Sequence, residues 1–192
     1  VDLISNVSDY IDDFIDNEEY HNAFELIKYT YSFIKDTFMD GSNGEFQDSL
    51  YLINESASKL LYNDEYFDIF LDYTEDITSN NALDDFSDSP LHAFILYVHD
   101  KDSAKKVVKI LDEIELSTYG IFVSQILDKI SLIYDFIDKD DAIKMCYESI
   151  EHYGVKELLI KYLKKDHKID EVIQILKNDI KNHVRKDMAY AK

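Results

Sequence analysis

The stretch Ile11-Asp-Asp-Phe-Ile-Asp-Asn-Glu-Glu-Tyr-His-Asn-Ala-Phe-Glu-Leu-Ile27 decides the fold. On its N-terminal side Leu3, Ile4, Val7, Ile11, Phe14 and Ile15 recur at i, i+3, i+4 and i+7, which lines one face of a helix with apolar side chains. On its C-terminal side Tyr20, Ala23, Phe24, Ile27, Tyr31, Ile34 and Phe38 follow the same spacing. Asp16 and Asn17 break the two patterns apart. Two amphipathic helices joined by so short a polar turn fold back on one another as an antiparallel hairpin.

Working outward, the same period predicts further helices. Phe46 to Leu61 and Tyr66 to Ile77 form the third and fourth, Leu91 to Val98 the fifth, and Ala104 to Ile114 the sixth. Residues 79–89 are polar and acidic and read as the longest loop; Ser89-Pro90 then suits a helix start, with Ser as cap and Pro in the first turn. Ile121 to Ile137 supplies a seventh helix beginning near Gly120, and Ala142 to Ile150 an eighth that Gly154 closes as a left-handed cap. Val155 to Leu163 is a ninth, Ile169 to Ile180 a tenth, and residues 183–192 begin an eleventh that is frayed or has its partner outside this chain. Four glycines and one proline, Pro90, are too few for the turns of a β-rich fold.

Five junctions share a form: an acidic polar turn, then a small or aliphatic residue opening a new apolar face. They lead into Ala23, Ile69, Ala104, Ala142 and Val172, at separations of 46, 35, 38 and 30 residues. Two short helices and their turns take about 34 residues in tetratricopeptide-type solenoids, and a small residue at the crossing lets them pack closely. The expected fold is therefore all-α: antiparallel hairpins stacked as an irregular tetratricopeptide-like α-solenoid of about ten helices. The alternative is one globular bundle whose junctions look alike because acidic turns are common. Residues 1–192 are read as a single helical-repeat domain, with a possible subdivision at the 79–89 loop, and as a piece of a longer protein because the chain starts at Val1.

Charge narrows the partners. Forty acids against twenty bases give −20, which repels nucleic-acid phosphates and anionic lipids. Residues 1–100 hold 23 acids and 3 bases, whereas residues 153–192 hold 6 acids and 10 bases. No run approaches the ~18 apolar residues of a membrane span, and no secretory signal opens the chain. The lone Cys146 can form neither an internal disulfide nor a cysteine-rich zinc site, so a cytoplasmic setting is expected.

The segment Phe38-Met-Asp-Gly-Ser-Asn-Gly-Glu-Phe-Gln-Asp48, between two amphipathic helices, carries a resemblance. Through Asp40, Ser42, Asn43, Gly44, Glu45 and Asp48 it resembles the Asp-x-Ser-Asp-Gly-acid loop in the helical region of archaeal and bacterial SWIM zinc-finger proteins. Ala23 with its acidic turn upstream, and Tyr66-Phe-Asp-Ile-Phe-Leu-Asp-Tyr73 downstream, keep the same order. That family places a CxC…CxH zinc element ahead of its helices and is thought to bind nucleic acid or protein. No CxC or CxH pair occurs here, so the resemblance implies a helical appendage, with zinc only in a preceding finger.

Other candidate chemistry is weaker than its structural counterpart. An EF-hand started at Asp40 needs Gly sixth and Glu twelfth, where Glu45 and Tyr51 stand; the segment works better as a turn. His21 with Glu25, Glu148 with His152, and His92 with His99 are spaced to share helix faces but lack the second histidine of HExxH. Cys146 lies on the apolar stripe of Ala142 and Ile150, where a thiol behaves as a small hydrophobe with a raised pKa. The basic run Lys156, Lys161, Lys164, Lys165, Lys168, Lys177, Lys181, Arg185 and Lys186 fits a solvated face or a contact with an acidic surface better than a nucleic-acid site.

Fifteen tyrosines and eleven phenylalanines mostly fall on the helical stripes, yet Tyr29 and Tyr31, two positions apart, cannot share a face. Tyrosines left exposed in an acidic groove suit a basic, aromatic or aliphatic peptide. The sequence therefore reads as a non-catalytic protein-interaction scaffold without catalytic, cofactor or metal residues. Its expected partner is a basic protein or peptide, and no direct contact to nucleic acid or membrane is expected from this chain. The competing reading is an accessory domain whose nucleic-acid contacts lie in a preceding finger.

Overall fold

In a computed structural model, which describes residues 2–37, 45–79, 89–113 and 119–190, ten α-helices and one π-helical segment follow one another without a strand among the described residues. They are α1 (Asp2–Asp16), α2 (Tyr20–Thr37), α3 (Glu45–Leu60), α4 (Asp64–Ser79), α5 (Ser89–Tyr97), α6 (Lys101–Glu113), α7 (Tyr119–Leu132), the π-helical Ile133–Ile137, α8 (Lys139–Glu148), α9 (Tyr153–Lys165) and α10 (Ile169–Tyr190). The all-α expectation is met. Two compact units are present, Val1–Asp128 and Lys129–Lys192, with the division inside α7.

The acidic junctions are capping devices. Asn63 Oδ1 accepts from the backbone N–H groups of Glu65 and Tyr66 at the start of α4. Asp138 Oδ1 accepts from Asp140 and Asp141 at the start of α8. Before α6, Asp100 Oδ1 accepts from Ser103 N–H at 2.8 Å while Ser103 Oγ accepts from Asp100 N–H at 3.1 Å, a reciprocal box. Each satisfies amide donors that a helix start leaves open, and the acids that follow complement the positive end of the helix dipole. Asp64 and Glu65 in α4, Asp140 and Asp141 in α8, and Asp170 and Glu171 in α10 occupy those first turns.

Two turns are closed in a less common way. Glu18 (φ 62°) and His167 (φ 59°) are left-handed without being glycine. After α1, Glu19 N–H donates to Phe14 O and Glu18 N–H to Ile15 O; after α9, Lys168 donates to Leu163 O and His167 to Lys164 O. Both pairs make the six-to-one and five-to-two bonds of a Schellman cap.

In the first unit α1 packs on α2 and α3, α2 also on α3 and α4, α3 on α5, and α5 on α6. The principal contacts among the described residues thus join helices one or two places apart, an arrangement common to a helical bundle and to stacked hairpins. Ala23, Ala57, Ala93 and Ala104 are fully buried in the first unit, as are Ile27, Ile53, Phe70 and Phe94. Tyr31 is 2% exposed and Tyr29 68%, as their two-residue offset demands.

The second unit stacks α8 on the π-helical segment and on α9, and α9 on α10. The π turn is closed by Asp138 N–H donating to Ile133 O, five residues back. Tyr134, in that turn, stacks on Tyr162 of α9 with centroids 3.7 Å apart and planes 2° from parallel. Its hydroxyl donates to Asp166, Tyr162 donates to Ser131, and Lys139 and Lys165 lie over the Tyr134 ring.

Two sequence expectations need correction. Gly154 caps nothing: α8 stops at Glu148, and Gly154 lies in the first turn of α9. The expected eleventh helix is the continuation of α10, which runs unbroken to Tyr190 because no residue between Ile180 and Ala189 breaks a helix. The 79–89 loop falls mostly outside the described residues.

Candidate partner-binding surface

Three hairpin turns of the first unit carry its most distinctive surface. The α1–α2 turn presents Glu18, Glu19, Tyr20 and His21; the α3–α4 turn Tyr62, Asp64, Glu65 and Tyr66; the α5–α6 turn Tyr97, His99, Asp100 and Asp102. Ring contacts join them. Tyr20 lies 5.7 Å from Tyr66, and Tyr62 lies 5.1 Å from Tyr97 and 5.4 Å from His99. Behind these, Phe24, Phe70 and Tyr73 pack edge-on and tilted between α2 and α4, and Phe67 meets Phe94 and Tyr97. The outer rings therefore stand on a rigid aromatic layer.

Between the first two turns lies an open cleft of about 340 Å³, lined by Glu18, Glu19, Tyr20, His21, Asn22 and Tyr66. Glu18 and Glu19 are solvent-exposed at its wall, and Asp64 and Glu65 are exposed at the start of α4. Glu19 accepts a hydrogen bond from Asn22 at 2.8 Å, which fixes one carboxylate at the cleft wall. Nearby lysines point elsewhere: Lys28 pairs with Glu25, and Lys59 pairs with Asp12 across α1 and α3. Asp100 is held below the usual carboxylate range, first by Ser103 N–H and then by the Ser103 hydroxyl. The Tyr97 hydroxyl is pushed up, chiefly by burial and then by Tyr62, Asp64 and Asp100. At the α5–α6 turn Asp100 therefore keeps its charge to lower pH than an ordinary carboxylate, and the Tyr97 hydroxyl stays neutral beside it.

In the buried layer behind these turns, two lysines lie over phenylalanine rings. Within the first unit Lys106 Nζ sits 3.3 Å from the centroid of Phe67, and Lys28 Nζ 5.2 Å from that of Phe24. Aromatic faces here accept ammonium groups.

The other candidates separate. His21 lines the cleft, but Glu25 is turned to Lys28 at 3.0 Å, so the pair does not converge. Glu148 and His152 share no helix, because α8 ends at Glu148 and His152 precedes α9. His92 and His99 likewise part, since α5 ends at Tyr97 and His99 turns its Nδ1 to Tyr97 O at 3.1 Å. Among the described residues no group of three or more His, Cys, Asp or Glu is placed to hold a metal, and no helix is long and apolar enough to cross a membrane. Asp40 to Gly44 lie outside the described residues; Asp48 is exposed on α3. Cys146 is buried and its thiol is raised by burial to about 11, as its place on the stripe led us to expect. In the basic segment Lys156 pairs with Asp179 at 2.8 Å and Lys165 with Asp135 at 3.6 Å.

No family model, curated protein or solved structure matches the chain.

Sequence reasoning missed that Tyr62, Tyr97 and His99 form one cluster. The signal was present, since a tyrosine stands within three residues of the acidic turn at Tyr20, Tyr62, Tyr66 and Tyr97.

Proposed function

We propose that this chain is a non-catalytic protein-interaction scaffold whose acidic, tyrosine-bearing turn edge binds a basic segment of a partner protein. The observation that carries the reading is the pair of ring contacts Tyr20–Tyr66 and Tyr62–Tyr97, in turns that also carry the exposed acids Glu18, Glu19, Asp64, Glu65 and Asp100. Residues 1–128 hold 28 acids and 7 bases, so a cationic segment is drawn to this unit from a distance. On arrival, lysine or arginine groups seat over the tyrosine rings and pair with the carboxylates, while aliphatic or aromatic neighbours enter the cleft. The reading includes a reducing, cytoplasmic setting, supported by the free, buried Cys146.

The resemblance at Asp40 to Asp48 supports a second element: the chain is the helical appendage of a SWIM zinc-finger-like protein, whose nucleic-acid or zinc chemistry would belong to a preceding finger. Charge reversal tests the scaffold reading. Glu18→Lys with Asp64→Lys should weaken binding of a fluorescent Lys/Arg-rich peptide about tenfold or more, with the helical circular dichroism unchanged. Unaltered affinity would remove the turn edge from the account. A gel-shift with the chain alone should show no retarded nucleic acid.

A further inference from the structure

Helix α10 carries two apolar stripes that face different ways. Val172 and Ile175, 4% and 9% exposed, are buried on the side where α10 packs against α9. Ile169, Ile173, Leu176 and Ile180 remain 50%, 42%, 45% and 64% exposed. Four β-branched or γ-branched residues exposed in a row on one helix are not a scatter of surface apolar groups. They follow one another at intervals of four, three and four, the seam spacing of a coiled coil.

We propose that this stripe is a self-association surface, along which α10 of a second copy of the chain lies antiparallel. The charges flanking the stripe select that occupant and that direction. With Ile173 opposite Leu176 and Ile169 opposite Ile180, Asp170 faces Lys177 of the second copy, and the two-fold axis makes the pair twice. A parallel arrangement sets Lys177 against the flank of Val172 and leaves Asp170 without a cation. Asp170 and Lys177 are both exposed and form no ion pair among the described residues, whereas the neighbouring Glu171 and Asp179 are engaged by Tyr147 and Lys156.

Net charge points the same way. Residues 169–190 hold Asp170, Glu171, Asp179 and Asp187 against Lys177, Lys181, Arg185 and Lys186, so α10 is neutral. Two copies can meet there without opposing like charges, which the acidic first unit would not allow. The seam from Ile169 to Ile180 is about 16 Å long at 1.5 Å per residue. So short a contact falls below the size of a standard stable interface, so the dimer is a weak one that forms at high protein concentration.

Sedimentation velocity of the whole chain from ~5 µM to ~1 mM tests this, with circular dichroism as the folding control. We expect a concentration-dependent shift from monomer to dimer that Leu176→Glu abolishes. Asp170→Lys should weaken the dimer about tenfold, and adding Lys177→Asp should restore it. A chain that stays monomeric at ~1 mM overturns the proposal and leaves the stripe to another occupant. So does a dimer indifferent to Leu176→Glu, or one that the double charge exchange fails to restore.

Discussion

The Tyr31 hydroxyl donates to Asn54 Oδ1 at 2.6 Å, a hydrogen bond sealed inside the first unit that ties α2 to α3. Both residues are buried, and burial first, then Tyr73, pushes the Tyr31 hydroxyl well above its ordinary range. Tyr31→Phe keeps the ring but removes the donor to a buried acceptor. A loss of about 1–3 kcal/mol in urea unfolding is expected, because the stranded oxygen keeps its desolvation penalty. A change below ~0.5 kcal/mol would mean that another donor replaces it.

The capping role of the acidic turns is checked at Asp138. Its carboxylate holds two amides at the start of α8, at 2.9 and 3.1 Å. Asp138→Ala should destabilise by about 1 kcal/mol, and Asp138→Asn by less, since the amide oxygen still accepts. Equal losses would assign the effect to charge rather than capping.

Left-handed Glu18 and His167 are positions where a side chain is a liability. A residue with a Cβ pays roughly 1–2 kcal/mol in that region, partly offset by the greater chain entropy of glycine. Glu18→Gly and His167→Gly should each raise the melting temperature by about 1–3 °C. Glu18→Gly also removes a carboxylate of the cleft, so it should weaken binding of a basic peptide while stabilising the fold.

Alkaline pH should unfold the chain through its buried phenols. Tyr134 is raised to about 12, first by burial and then by its bond to Asp166, and Tyr162 is raised chiefly by burial. Because the folded state holds these groups neutral beyond the ordinary value of 10.0, their contribution is complete below pH 10 and is lost as pH climbs through about 12. Absorbance at ~295 nm and far-ultraviolet circular dichroism should then change together. Full ionisation with the helix signal intact would contradict the packing of the Tyr134–Tyr162 stack.

The helices were legible because each buries one stripe, and the stripe alone fixes the 3.6-residue period. Ala23, Ala104 and Ala142, read as junction anchors, are all fully buried, because each lies on the stripe that its helix turns inward. What escaped was set by contacts rather than by local pattern. Gly154 suggests a helix end, but helix starts tolerate glycine, and the actual left-handed caps fell on Glu18 and His167. The π turn at Ile133–Ile137 brings Tyr134 against Tyr162, a pairing across two helices that periodicity cannot register. At the candidate surface, composition revealed the acidic bias of residues 1–100. The convergence of Tyr62, Tyr97 and His99 needed the stacking of hairpins to become visible.

The central claim, that the turn edge captures a basic segment, is tested most directly by titrating a fluorescent Lys/Arg-rich peptide into the chain at ~0.05 and ~0.5 M salt, with Tyr20→Ala/Tyr66→Ala alongside. The account requires affinity to fall about tenfold or more across that range, and binding to drop further when the two rings are removed. Affinity that is the same at both salt concentrations, or that survives loss of Tyr20 and Tyr66, would contradict it.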